Sequence, residues 1–436
     1  MEMEDLSRMK EEFLHYLWKG RMFDFMNLKT VEGEDLKIIF PGFHNTDAGP
    51  DFKQAVLQIG DMKWAGDVEI HIRSSDWYRH RHEVDEKYMS VVLHVVYLYD
   101  KPVVRQQREC YPTLELARYI PSDMYEKYLR LTDSLDAISC RSYLTEIDSL
   151  HIQSLVSSVT MERLLRKQSA VRSFVQQCNG DWNEAFYRQL AIGFGFKTNT
   201  AAFELLARSL PYKVILKHKD SQLQVSALVF GQAGFLDQEI VNDAYYDKLR
   251  YEYEYLRYKY QLVPIDLSRW NLLRLRPQNF PCLRLAQFSA VLSNSVSLLE
   301  EVVRFESVET LQKLLSVRAD DYWNTHYHFG QEKILPHSVQ LGSTAISSLL
   351  INTVIPFLFA YCRFRGLEYR LERVVSMLEQ IPFENNKLSR VFADTPFPKN
   401  SALDSQAQIE LLQNYCLKKR CVDCLIGDKV VRSIRQ

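Results

Sequence analysis

The chain has 436 residues, 46% of them apolar and 25% charged, which is long enough for two or three domains and too apolar for a disordered protein. Lys and Arg number 54 against 55 Asp and Glu, so the net charge of −1 excludes a globally basic nucleic-acid binder and leaves only local patches for a polyanion. The cysteines, eight in all and mostly scattered, exclude a dense disulfide framework and suit a reducing cytoplasm, where we expect the protein to reside.

From Ser7 to Lys19 the apolar residues Leu14, Leu17 and Trp18 fall at helical spacing, with Glu11 and Glu12 in the first turns where acids complement the helix dipole. This acidic start does not have the pattern of an export leader. "EDLKIIF" then reads as a strand ending at Pro41. "DFKQAVLQI" and "MKWAGDVEIHI" read as two strands joined through Gly60 and Asp61, a hairpin signal. "DWYRHRHEVDEKY" suits a short helix or turn, and "MSVVLHVVYLY" a strand buried on both faces. The order of helix, three strands, short helix and strand predicts an α/β module with a mixed sheet and flanking helices over residues 1–120.

Beyond Pro121 the pattern is mostly helical. Helices are expected at Met161–Cys178, Trp182–Phe194, Ala201–Leu210, Asn242–Gln261, Ala286–Phe305, Val308–Val317 and Ser343–Phe364, divided into a helical domain over 121–340 and a helical C-terminal region over 341–436. The tyrosine stripe from Tyr245 to Tyr260 is expected to be core. The uncharged run Ser343–Cys362 has the length of a membrane span, but Asn352, Pro356 and several hydroxyls favour a buried helix and no membrane partner.

Two acids carry the first chemical expectation. If the hairpin loop runs from Gly60 to Met62, Asp51 faces His71 and Lys53 faces Glu69. A two-residue loop shifts this register by one unless a bulge near Ala65 and Gly66 restores it. In the favourable register Asp51, Glu69 and His71 share one sheet face, an oxygen-rich site suited to Mg²⁺ or Mn²⁺ beside a base that can orient water. The arrangement resembles the restriction-endonuclease-like superfamily and its PD-(D/E)xK motif. Pro50 and Asp51 match the first half, Glu69 and His71 the second, with histidine where lysine is usual. The resemblance implies a metal-dependent phosphodiesterase acting on DNA or RNA, with Glu11 or Glu12 as the helix acid and Lys53 as a substitute cation. Over the whole chain "GPDF", "GDVEIH", "SSDWYRHRH", "VVLHVV" and the late cysteines resemble a bacterial family of unknown function.

The same stretch allows other readings. His71, His80, His82 and His94, four of the eleven histidines, stand close in sequence with Asp76 and Asp85 between them. Neutral imidazoles favour zinc, iron or manganese, so a histidine-centred metallohydrolase is the alternative. Against this, His94 suits a hydrogen-bonded core position, and His80 and His82 suit a turn. A nucleic-acid-binding scaffold without turnover is the third reading. "YCLKKRCVDCLIG" places Cys416, Cys421 and Cys424 at a spacing able to wrap zinc or an iron–sulfur cluster, with Cys362 expected as fourth ligand, followed by Cys282, His326 or His328. Arg269, Arg274, Arg276 and Arg284, interleaved with Trp270, Asn279 and Phe280, and Lys418–Arg420 form two basic stretches that weakly suit nucleic acid.

Overall fold

A computed structural model describes residues 9–105, 109–121, 123–240, 242–305, 307–333 and 338–433. Ser7 and Arg8 of the first expected helix lie outside these residues. By internal contacts the chain forms two compact units, Met1–Leu155 with Leu411–Gln436, and Val156–Glu410. The division therefore falls near 155 and 411 instead of 120 and 340, because the last segment returns to the first unit after the helical unit is complete.

The first unit is built on a mixed sheet. Helix α1 (Glu11–Gly20) buries Phe13, Leu14, Leu17 and Trp18, and packs against β5. The strands are β1 (Leu28–Lys29), β2 (Asp35–Phe40), β3 (Phe43–His44), β4 (Phe52–Ile59), β5 (Met62–Arg73), β6 (Val91–Leu98) and β7 (Thr113–Glu115), in the order β1-β2-β4-β5-β6-β7 with β3 beside β4. Pairs up to β4–β5 are antiparallel, and β5–β6 and β6–β7 are parallel. Helix α2 (Asp76–Arg79) opens the crossover from β5 to β6, where Trp77 packs with Val91, Val103 and Tyr111. As expected of a strand covered on both faces, β6 is buried from Val91 to Val96. Gly66 is required in β5, since a Cβ there would stand 2.4 Å from Val92 Cγ1 and 2.6 Å from the Ser90 carbonyl. Helix α3 (Met124–Thr132) packs against the terminal helix Leu425–Arg432.

The hairpin has a two-residue loop, with Ile59 opposite Met62. Continued without interruption, that register would pair Asp51 with Ile70 and place it on the face opposite Glu69. A bulge at Lys53–Gln54 adds one residue to β4, restores Phe52 opposite Val68, and brings Asp51 level with Glu69. The bulge thus lies on the strand opposite to the expected one. Gln54 adopts φ 59°, and its N–H donates to Asp67 Oδ1 at 2.9 Å.

The second unit is helical. Asp181 and Asp243 cap the helices Trp182–Phe194 and Ala244–Tyr260 with side-chain carboxylates. Tyr246, Leu249, Tyr253 and Leu256 are core, and Gly231 admits the Tyr253 ring, whose nearest atom would lie 2.1 Å from an added Cβ. The expected single helix Ala286–Phe305 is two, Pro281–Asn294 and Leu298–Val303. Ser293, Asn294 and Ser295 end the first by bonding its own carbonyls. Ser343–Phe364 is the one segment among the described residues long and apolar enough to cross a membrane, and 72% of its most apolar window is buried. It has a π-helical turn at Leu350–Val354, just before Pro356, whose missing N–H interrupts the regular ladder.

Candidate metal centre

The end of β4 and the middle of β5 are joined by side chains. The Asp51 N–H donates to Glu69 Oε2 at 3.1 Å, and the Ile70 N–H donates to Asp51 Oδ2 at 2.9 Å. Alternation then places His71 beside Glu69 on the same face, and the parallel register of β6 adds His94 opposite Glu69. The α2 turn supplies His80 and His82. Arg81 between them stands at φ 60°, which turns both imidazoles back toward the sheet.

The donor atoms are close. His71 Nε2 lies 3.1 Å from His80 Nδ1 and 3.6 Å from Glu69 Oε1, and His82 Nε2 lies 3.2 Å from Glu69 Oε1. The ligand atoms of His71, His80 and His82 all fall within 4.8 Å of one another. A tetrahedron with zinc–nitrogen bonds of the usual length has an edge of about 3.3 Å, so these separations match a single coordination sphere. Behind it, His71 Nδ1 meets His94 Nε2 at 2.9 Å. For His71 Nε2 to ligate, Nδ1 must carry the proton and donate it to His94, the arrangement that orients a ligating imidazole. His94 is fully buried, and its Nδ1 has no hydrogen-bond partner among the described residues.

The electrostatics suit a cation. Burial, and then the Asp51 charge, push the Glu69 carboxyl far above the ordinary carboxylate range. Burial lowers His71, His80 and His82, the first also through its neighbouring histidines, and brings His94 down to about 3. The imidazoles are therefore neutral, which is their ligand form, and Glu69 gains most from an added positive charge.

Helix α1 closes one side. His15 Nε2 lies 3.2 Å from Asp51 Oδ2; burial alone would lower its pKa, but the close Asp51 carboxylate, with Glu11 and Glu69, raises it. Glu11, one helical turn earlier, is raised by burial and by Asp51, so it faces the cluster. Glu12 is exposed on another face. Lys53 does not oppose Glu69: it pairs with Phe43 at the bulge and is exposed. His15 escaped the sequence reading, although its place four residues after Glu11 puts both on one helical face. On the other side, His82 lines an open cleft of about 290 Å³ with Glu83, Asp85, Tyr88, Arg105 and Tyr111. The Arg105 guanidinium lies 4.5 Å over the Tyr111 ring.

The remaining expected residues lie elsewhere. Cys362 and Cys282 are buried in helices of the other unit, whereas Cys416, Cys421 and Cys424 belong to the sheet unit, and among the described residues no three cysteines come within ligand distance of one another. His326 and His328 form a small strand of the helical unit, where His326 stacks on Tyr322. Trp270 is core, and its indole N–H donates to the Ala233 carbonyl. Arg284 is buried, bonded to Asn279 and Gln287. Neither is presented for base stacking, which leaves Arg269, Arg274 and Arg276 exposed.

Comparison with curated proteins and with solved structures gave no match. A family model described as "Protein of unknown function (DUF2851)" matches residues 11–387, a span that contains α1, the whole sheet and every histidine of the cluster. The chain belongs to that family.

Proposed function

We propose that the protein is a metal-dependent phosphodiesterase whose divalent ion is held by His71, His80, His82 and Glu69. One observation carries this: three imidazoles and a carboxylate meet at coordination distance at the end of the sheet, beside a cleft. The mixed nitrogen and oxygen donors favour zinc, manganese or iron over magnesium, which prefers oxygen alone. A bound ion supplies Lewis acidity toward a phosphoryl oxygen. Asp51 holds the His15 imidazole and raises its basicity, so this pair gives or takes a proton beside the reacting group. His94 fixes the orientation of His71. Arg105, at the cleft, offers its guanidinium to a phosphate.

The phosphodiester as substrate is supported by topology. A helix, three antiparallel strands, a short helix and a parallel fourth strand, with Asp51 and Glu69 on the second and third core strands, is the order of the restriction-endonuclease-like core. The test is hydrolysis of bis(p-nitrophenyl) phosphate and of single- and double-stranded DNA and RNA with Zn²⁺, Mn²⁺, Fe²⁺ or Mg²⁺. Cleavage that needs a transition metal and is lost in Glu69→Gln and His82→Ala is expected. Tight metal binding with no cleavage of any diester would assign the centre to another chemistry.

A further inference from the structure

We infer that Arg284, with Thr198, Asn199 and Asn279 around it, forms a binding site for one small inorganic anion of chloride size in the helical unit, and that the bound ion is the counter-charge of the buried guanidinium. All four residues belong to that unit.

Arg284 is an unusual residue for its place. It stands in the first turn of the helix Pro281–Asn294 among Cys282, Leu283, Leu285 and Ala286, all buried, and it is itself only 7% exposed. A charged side chain in such surroundings is ordinarily paired with an opposite charge. Its Nη1 donates to Gln287 Oε1 at 2.9 Å and its Nη2 to Asn279 Oδ1 at 2.8 Å, and its Cζ lies 4.1 Å from the centre of the Phe196 ring. These partners are all neutral. Gln287 gives its Nε2 to the Val339 carbonyl at 3.3 Å, so its oxygen is fixed toward the guanidinium. The Arg284 Nε is buried and without a hydrogen-bond partner among the described residues, and none of those residues forms an ion pair with it. Burial alone brings the group down to about 10, so it remains a cation at neutral pH.

The side chain lines a small cavity together with Phe196, Thr198, Asn199, Phe203 and Asn279. The volume of about 10 Å³ is room for one water molecule or one monatomic ion. No acidic side chain lines it. Its wall includes the tight loop between the helices Trp182–Phe194 and Thr200–Ser209, where Phe196 and Lys197 both stand at positive φ, 40° and 71°. Successive left-handed residues with side chains are costly, and they persist where the surroundings hold them, commonly at ligand sites. Gly195 is needed beside them, since a Cβ there would stand 2.4 Å from Thr200 Cα. Asn199 ties this loop to the segment that leads into the helix of Arg284: its Oδ1 accepts from the Asn271 N–H at 2.8 Å, and its Nδ2 donates to the Asn271 carbonyl at 3.1 Å. The positive end of the Pro281–Asn294 dipole adds to the field of the guanidinium. A water molecule in the cavity would accept from Nε but leave the charge uncompensated, whereas an anion answers both needs.

The experiment follows heat unfolding of the full chain in buffers of constant ionic strength, in which sodium chloride or bromide replaces sodium gluconate, an anion too large for the cavity. The wild-type Tm should rise with the logarithm of halide concentration, as for one ion bound only by the folded chain, and Arg284→Met should lose that dependence. A purely structural role for Arg284 would instead lower the Tm of the variant by the same amount in every salt. That result, a wild-type Tm equal in halide and gluconate, or a halide effect that survives in Arg284→Met overturns the proposal. Should Arg284→Met fail to fold, crystals of the wild-type chain soaked in bromide decide. An anomalous-scattering peak beside Arg284 Nε supports the site, and a water molecule there without that signal overturns it. No arm depends on the histidine cluster or on diester cleavage.

Discussion

Gln54 holds a left-handed backbone conformation inside a strand, and the Asp67 carboxylate on the neighbouring strand accepts its N–H at 2.9 Å. Asp67 is itself fixed by Ser90 Oγ at 2.6 Å. These contacts hold the bulge that brings Asp51 level with Glu69. Gln54→Gly should therefore stabilise the chain by about 1 kcal/mol, since the conformation is costly for residues with a Cβ. Gln54→Val should destabilise it by about the same amount. Asp67→Ala should cost about 1 kcal/mol and also weaken metal binding, because Asp51 loses its register. Urea unfolding and metal titration measure the two effects; stability and affinity both unchanged in Asp67→Ala would mean that the bulge is held by something else.

The pairing of Asp51 with Glu69 was legible in outline. The PD dipeptide and the alternation of Glu69 and His71 identify the right face, since side chains two apart in a strand share it. The register was not legible, because a glutamine at positive φ carries no local signal and the turn alone points to the wrong face. His80 and His82 were visible as a cluster, but their aim depends on Arg81 turning the chain. That Cys140 and Cys416 belong to one unit was out of reach for a different reason: the whole helical unit separates them in sequence, and only the return of the chain at Leu411 puts both in the sheet unit. The long apolar segment was read correctly as buried because Asn352 and Pro356 suit a packed helix better than lipid.

Glu69 and the histidines give the metal-free protein a stability maximum near neutral pH. The Glu69 pKa is higher folded than unfolded, so between the two values the folded chain binds the extra proton and stability falls as pH rises. His71, His80, His82 and His94 have lower pKa values folded than unfolded, so below about pH 6.5 the unfolded chain binds the extra protons and stability falls as pH drops. Glu69→Gln should therefore raise the Tm of the metal-free protein at about pH 8, where the wild-type carboxyl must take up a proton in order to fold. The same variant should bind metal more weakly. A lower Tm than wild type at that pH would show that the Glu69 carboxyl is not held in its neutral form.

His94 acts on the centre only through His71. Its Nε2 is the sole acceptor described for His71 Nδ1, and its burial leaves no water to replace it. His94→Leu should preserve the apolar packing against Trp77 yet lower metal affinity by about 10–100-fold, the usual effect of losing a group that orients a ligating histidine. His94→Gln, which retains an acceptor, should recover part of that loss. Competition titration with a chelating dye measures both; equal affinity in His94→Leu and wild type would remove His71 from the ligand set.

In the helical unit Glu410 is the anion on which a buried cationic cluster depends. Its carboxylate is 3% exposed and accepts from Arg163 Nη1 at 3.1 Å and from Arg166 Nε and Nη2 at 3.0 and 2.5 Å. Nearby, burial and then the two guanidiniums lower the Lys167 ammonium to about 7, while Glu384 is a second carboxylate that acts on Lys167 and Arg163 without bonding to either guanidinium in the way Glu410 does. Glu410→Ala should cost about 3–5 kcal/mol, because the Arg163 side chain, only 11% exposed, loses the carboxylate it bonds. Arg166→Ala should cost about 1 kcal/mol or less, since that side chain is 54% exposed and water takes over its charge. Denaturant unfolding of the two variants compares them directly. Equal losses would mean that burial of Arg163 does not set the energetics of the cluster. A larger loss for Arg166→Ala would make the half-exposed bidentate pair the stronger of the two.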